Sequence, residues 1–221
     1  MAITRYSTGT QTGGSDMTLD IGVADNNRLV VVSYARVFDS DVNLSACTVD
    51  GKSMTELATN SPALDIGGAG MNVDMWLIWE ATLGASAGSV TVAATGDTSA
   101  GAYSAMVFYG VDQTVKVLDS NKMETVTGTT ITVTSIDVSA KGAVIGSFGW
   151  ESDTTVSSYT SPLAGEVLIA PTFGDMAMVW GIETSAQSAK SYSTVLNASS
   201  GDTACIVISV DSAFVRRVFV T

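Results

Sequence analysis

The sequence predicts an all-β chain, an antiparallel β-sandwich with jelly-roll (double Greek key) connectivity, and three observations carry that expectation. Hydrophobic residues make up 46% and charged residues 14% of the 221 positions, with 21 Gly. Such a mix suits pleated strands and tight turns better than helices. Short strand-like segments recur along the whole chain, separated by turn residues, as in sandwiches and barrels. Finally, two groups of segments resemble one another. "DMWLIWEAT" (74–82) is similar to "DMAMVWGIET" (175–184), "NRLVVVSYARV" (27–37) to "KGAVIGSFGWE" (141–151), and Gly-Asp-Thr recurs at 96–98 and 201–203. Two similar groups of strands suit a double Greek key. Chance likeness among Val/Ala/Gly-rich strands is the competing explanation.

Taken in chain order, a short polar arm is expected over 1–16, followed by strands near 17–21, 28–38, 45–49, 53–59, 72–82, 89–95, 102–111, 115–119, 125–136, 142–150, 154–160, 165–170, 176–184, 190–196 and 203–220. The last of these ends in a C-terminal extension over 213–221. No Pro/Ser linker divides the chain, so one domain over 1–221 is expected. Asp50-Gly51, between "CTV" and "KSMTEL", reads as a hairpin turn. In 72–82 the set Val73, Met75, Leu77, Trp79, Ala81 is wholly apolar, while Asn72, Asp74, Trp76, Ile78, Glu80 is mixed. Period-two alternation puts Trp79 in the core and Trp76 and Ile78 on the wetter face. "RLVVVSYARVF" and "AYSAMVFYGV" are apolar on both faces. Their outer sides therefore need a cover, from a neighbouring subunit or from the same chain. Tyr34 and Tyr109, on these strands, join Trp76 and Ile78 as interface candidates. In "AMVFYGVDQT" (105–114), Met106 and Phe108 share one face and Val107 and Tyr109 the other. Gly110 lets the chain leave the sheet, and Asp112 and Gln113 satisfy backbone groups of the turn.

A net charge of −12, from 22 acids against 10 bases, repels phosphate backbones and argues against nucleic acid as a partner. There is no basic amphipathic helix for an anionic membrane, no apolar run of about 20 residues, and no signal-peptide apolar region in "MAITRYSTGTQTGG". Synthesis in a cytoplasm is the expectation. Cys47 and Cys205 lie in apolar strand-like contexts, either as a disulfide between neighbouring strands or as two buried thiols.

Catalytic chemistry is hard to build from this sequence. It has no histidine, which removes Ser–His–Asp and Cys–His catalysis and His-based zinc sites. No phosphate-binding G-x-x-x-x-G-K-[ST] loop occurs. Paired acids remain, with Glu80 beside Trp76 the best single candidate for work on a sugar, yet nothing places a second carboxylate at the required distance. No catalytic residue and no cofactor are therefore expected. Asp39, Asp41, Asn43 and Asp50 have calcium-like spacing, but Leu44 stands where a helix-loop-helix site needs Gly and Asp50 where it needs Glu. A solvated acidic loop is the plainer explanation, and a looser calcium site between loops the alternative. Asn43-Leu44-Ser45 and Asn197-Ala198-Ser199 match the glycosylation pattern by chance. Arg216 and Arg217 form the one adjacent basic pair, in "FVRRVFVT". They are a solvated turn or an arm that pairs charge with an acidic neighbouring subunit.

"NRLVVVSYA" (27–35), "CTVDGKSMTEL" (47–57), "MWLIWEATLGASAGSVTVAATG" (75–96) and "AYSAMVFYGVDQT" (102–114) occur in an order that resembles a β-sandwich domain of tailed-phage virion structural proteins, also found in bacterial surface proteins. The resemblance covers the first half of the chain well and the second half through the internal repeat. It implies a non-enzymatic virion component. The lack of catalytic motifs and of a secretion signal, the acidic charge and the doubly apolar strands then favour a capsid decoration (cement) protein on the outer surface of the head. Its partners would be the major capsid protein and copies of itself, as a homo-oligomer such as a trimer, with no nucleic acid and no membrane. The alternative is a tail, fibre or surface adhesion module that binds host glycans through an exposed aromatic and acidic face.

Overall fold

The computed structural model describes residues 2–12, 16–24, 26–38, 44–57, 70–96, 101–125, 128–151, 154–169 and 175–213. The first half holds β1 (Thr4–Thr12), β2 (Asp16–Asp20), β3 (Leu29–Phe38), β4 (Leu44–Val49), β5 (Lys52–Ser53), β6 (Thr55–Glu56), β7 (Gly70–Trp79), the short helix α1 (Glu80–Leu83), β8 (Ser89–Gly96) and β9 (Gly101–Tyr109). The second holds β10 (Asp119–Thr125), β11 (Gly128–Val138), β12 (Ala143–Trp150), β13 (Val156–Tyr159), β14 (Ala164–Ile169), β15 (Asp175–Ile182), β16 (Gln187–Ser200) and β17 (Thr203–Val210).

These strands form four antiparallel sheets among the described residues, in the orders β1-β9-β3-β7-β6, β2-β8-β4-β5, β10-β17-β12-β15-β14 and β11-β16-β13. In each half the chain passes repeatedly between one sheet and its partner, which is jelly-roll connectivity. The two halves correspond strand for strand: β1 to β10, β2 to β11, β3 to β12, β4 to β13, β6 to β14, β7 to β15, β8 to β16 and β9 to β17. The internal repeat is therefore real, and the expected all-β jelly-roll sandwich is present twice. Where one sandwich over 1–221 was expected, two sandwiches stack on a shared core.

Among the described residues, three apolar clusters hold four layers together. Met17 and Leu19 of β2, Cys47 and Val49 of β4 and Val92 of β8 face Val30, Val32, Tyr34, Trp76, Ile78, Ala105 and Val107 across the first sandwich. Ile131, Val133, Tyr192 and Leu196 face Val144, Phe148, Trp150, Val179, Cys205 and Val207 across the second. The third cluster lies between the two inner sheets. Leu29, Val31, Met75, Leu77, Trp79, Met106 and Phe108 pack there on Ile145, Met176, Met178, Ile206, Ile208 and Val210. The cover required by the doubly apolar strands thus comes from the other half of the same chain, and no subunit interface is needed to explain them.

Details at the centre follow from this stacking. Ser33 of β3 and Ser147 of β12 occupy corresponding positions, and the buried Ser33 hydroxyl donates to Ser147 Oγ at 2.6 Å. Two residues further along β12, Gly149 lets the layers close up, since a Cβ there would sit 2.8 Å from Val73 Cγ2. The Asp50-Gly51 turn forms as expected, with φ of 52° and 70° at the two residues, values that suit the two-residue hairpin turn of this fold.

Some elements differ from expectation. Thr4–Thr12, expected within a polar arm, is an edge strand paired antiparallel with β9. Its alternation is hidden because an edge strand buries little, and Thr4, Arg5, Tyr6, Thr8 and Thr10 are exposed. Residues 115–118 are not a strand, and pairing with β17 begins at Asp119. The strand expected through 82 ends at Trp79, where Glu80 opens α1. Residues 214–221 lie outside the described residues.

Candidate functional site

The phrases that carry the family resemblance converge at one end of the first sandwich. Arg28, completely buried at the head of β3, grips Glu80 with a bidentate pair: Nε donates to Oε2 at 2.8 Å and Nη2 to Oε1 at 2.6 Å. The Arg28 backbone N–H also donates to Glu80 Oε2 at 3.0 Å. The remaining guanidinium hydrogens go to backbone carbonyls, Ser86 O at 2.7 Å, Gly84 O at 3.0 Å and Ile21 O at 3.5 Å. Gln113 closes the cluster: its Oε1 accepts the Glu80 N–H at 3.0 Å and its Nε2 donates to Val111 O at 3.1 Å. Asp112 Oδ1 accepts the Thr114 N–H at 2.6 Å, the turn role expected of it, and Gly110 has φ of 74°. A fixed guanidinium–carboxylate fork in a nearly dry setting is a clamp on backbone geometry. It leaves Glu80 engaged, so Glu80 is not poised as a general acid.

The second half builds its counterpart from different residues. The Glu183 N–H donates to Gly142 O at 3.0 Å, as the Glu80 N–H does to Arg28 O at 2.9 Å. Glu183, also buried, takes its cation from Lys190 (Nζ–Oε1 2.5 Å) and accepts the Tyr192 hydroxyl at 2.7 Å. Burial, followed by the neighbouring Glu183, pushes the Tyr192 phenol well above its ordinary value.

Three of the four expected interface residues that are described fall inside the molecule. Trp76, Ile78 and Tyr34 are 5%, 2% and 1% exposed, all within the core of the first sandwich. The mixed face of β7 misled the sequence reading because Asp74 is itself buried and accepts the Leu44 N–H at 3.3 Å. Tyr34 stacks obliquely on Tyr103, with centroids 4.8 Å apart. Tyr109 alone of the described candidates reaches the surface. Arg216 and Arg217, and Asp39, Asp41 and Asn43 of the calcium spacing, lie outside the described residues. Asp50, the fourth, sits in the hairpin turn and its Oδ2 accepts the Ser86 hydroxyl. Among the described residues no group of three or more His, Cys, Asp or Glu is placed to hold a metal. Cys47 and Cys205 are buried free thiols in the cores of different sandwiches, so they do not pair. Burial pushes each thiol up to about 12.

One surface feature escaped the sequence reading. Tyr6 of β1 stacks on Tyr109 with centroids 4.7 Å apart and planes at 18°. The Tyr6 hydroxyl donates to Asp20 Oδ2 at 3.1 Å, and the Gly22 N–H donates to Asp20 Oδ1 at 2.9 Å. The Asp20 hydrogen bond raises the Tyr6 phenol, with burial a smaller cause. Gly22 has φ of 67°, and a Cβ there would lie 1.4 Å from the Tyr109 hydroxyl, so only glycine fits. Nothing local in "TRYSTGTQT" marks Tyr6, because its partner is supplied by β9.

No protein-family model and no curated protein matches the chain. Among solved structures, it is similar to a chain from the atomic structure of Sulfolobus Turreted Icosahedral Virus, at 10% identity and a TM-score of 0.29, over 95% of this chain and 91% of that one. It is similar also to the crystal structure of the STIV MCP, at 10% identity and a TM-score of 0.26, over 100% and 99%. Likenesses at that level carry no argument about function, and the assignment of tandem jelly rolls rests on the strand orders themselves.

Proposed function

We propose that the chain is a virion structural protein, and within the virion a capsid decoration (cement) protein on the outer surface of the head. The observation that carries this reading is the four-layer stack, in which two jelly rolls bury their inner sheets against each other and hold Glu80 and Glu183 in ion pairs with Arg28 and Lys190. That is the build of a rigid block. The resemblance of the motif phrases to phage virion domains points the same way, and Arg28, Glu80 and Gln113 show that those phrases cooperate in one structural clamp. An absence of enzymatic activity belongs to the same proposal.

Its work would be clamping. Apolar surface buried between copies, and against the major capsid protein, adds about 25 cal/mol per Å² before association costs. An interface of ordinary size buries about 1,600 Å², repeated over the shell. The doubly apolar strands do not supply that surface, since they are already covered within the chain. Val115 and Leu118, 44% and 39% exposed, are aliphatic positions available for it. A net charge of −12 keeps such a protein from competing for a packaged genome. The adhesion alternative loses the face first assigned to it, because Trp76 is buried and Glu80 is held by Arg28. Electron microscopy of virus particles containing the chain tests the reading. A regular array over the head supports decoration, and density confined to the tail refutes it.

A further inference from the structure

We propose that Tyr6 and Asp20 form a binding platform for a neutral pyranoside, a site independent of the virion reading and carried by geometry alone. Tyr6 is 45% exposed although one face of its ring is stacked on Tyr109. An exposed tyrosine on an edge strand ordinarily samples several rotamers. This one is held by the stack and by its hydroxyl bond to Asp20 Oδ2. The support beneath it is equally fixed: the Tyr109 hydroxyl accepts the Val23 N–H at 3.2 Å, and Gly22 leaves the room that Tyr109 occupies. The result is a preorganised aromatic face with a carboxylate at its rim and an apolar neighbour, Val23, 62% exposed.

That combination suits the recognition of a sugar ring. The electron-rich face of an aromatic ring attracts the polarised C–H groups on the apolar face of a sugar ring. Each carboxylate oxygen of Asp20 accepts one protein hydrogen bond and keeps acceptor capacity for a sugar hydroxyl. A carboxylate at the rim, on a chain of net charge −12, selects against anionic sugars and leaves neutral pyranosides as the class. One ring makes a low-affinity site, and regular display of many copies would convert it to useful avidity.

Saturation-transfer-difference NMR on the intact chain tests this, using methyl β-glucopyranoside, methyl β-galactopyranoside and lactose as probes and sialyllactose as the anionic comparison. The expected result is transfer to the ring protons of at least one neutral probe, weakened about tenfold or more by Tyr6→Ala, and little transfer to the sialic acid ring. Tyr6→Ala is an edge-strand surface change, and an unaltered unfolding midpoint shows that it folds. Tyr6→Phe keeps the ring and is expected to retain most of the transfer. No transfer from the unmodified chain, transfer that survives Tyr6→Ala, or preference for the anionic probe would each overturn the proposal. None of these outcomes bears on the electron microscopy of particles, so the two readings fail separately.

Discussion

Replacing Arg28 by Met keeps a side chain of similar length and removes the guanidinium. Arg28 is 0% exposed and the Glu80 side chain 14%, so water offers the remaining carboxylate little compensation. The variant loses the bonds to both carboxylate oxygens and leaves the carbonyls of Ser86 and Gly84 without their donor. Removing one partner of a buried ion pair costs about 3–5 kcal/mol, well above the ~0–1 kcal/mol of an exposed pair. Arg28→Met is therefore expected to lower stability by about 3–5 kcal/mol. The double variant Arg28→Met with Glu80→Leu should recover much of that loss, because it removes the stranded carboxylate as well. Urea midpoints at constant m-value for the two single variants and the double give the coupling energy. A loss below about 1 kcal/mol for Arg28→Met, or simple additivity, would refute the claim that the fork is a dry clamp.

Trp79→Ala should cost about 3–5 kcal/mol in thermal unfolding, since Trp79 fills the core between the inner sheets, and an unchanged midpoint would contradict that placement. Cys47 and Cys205, with thiols pushed up to about 12, should resist a thiol reagent in the folded chain and react together on unfolding. Fast reaction of either in the native state would mean that its core opens. The Asp202 carboxyl is raised above its ordinary 3.8 by burial, then by Glu151, so the native state holds its proton more tightly than the unfolded one. This group's contribution is therefore favourable below 3.8 and declines as pH rises through the higher folded value, and Asp202→Asn should remove that decline. Urea midpoints across acidic pH measure it, and an unchanged profile in Asp202→Asn would count against the burial argument.

How much of this was legible depended on whether a signal was local. The Asp50-Gly51 turn, the exit of the chain at Gly110 and the turn role of Asp112 were readable, since each depends on backbone preferences of a few adjacent residues. The face of Trp79 was readable from period-two alternation, and the face of Trp76 was not. Alternation separates the two sides of a strand but does not say which side meets water when both are buried. In β7 one side meets the opposing sheet of the same jelly roll and the other meets the second jelly roll. β1 was invisible for the opposite reason, because an edge strand has almost no buried side to show. The Arg28–Glu80–Gln113 clamp left only a hint, a lone base heading an apolar strand in an acidic chain, and its partners lie far away in sequence.

The sequence by itself determined the all-β class, most strand positions, the tight turns and the twofold recurrence of strand groups. Those follow from side-chain shape, alternation and glycine placement, which act over neighbouring residues. Only the tertiary structure decided that the recurrence means two jelly rolls stacked face to face, joined at Ser33 and Ser147, with Trp76 inside and Tyr6 outside. The apolar outer face of an inner sheet requires a cover, and burial energy is non-directional, so a second subunit would satisfy it as well as a second half. The choice was made by the long-range packing of Met75, Leu77 and Phe108 against Met176, Ile206 and Ile208, which no local pattern encodes.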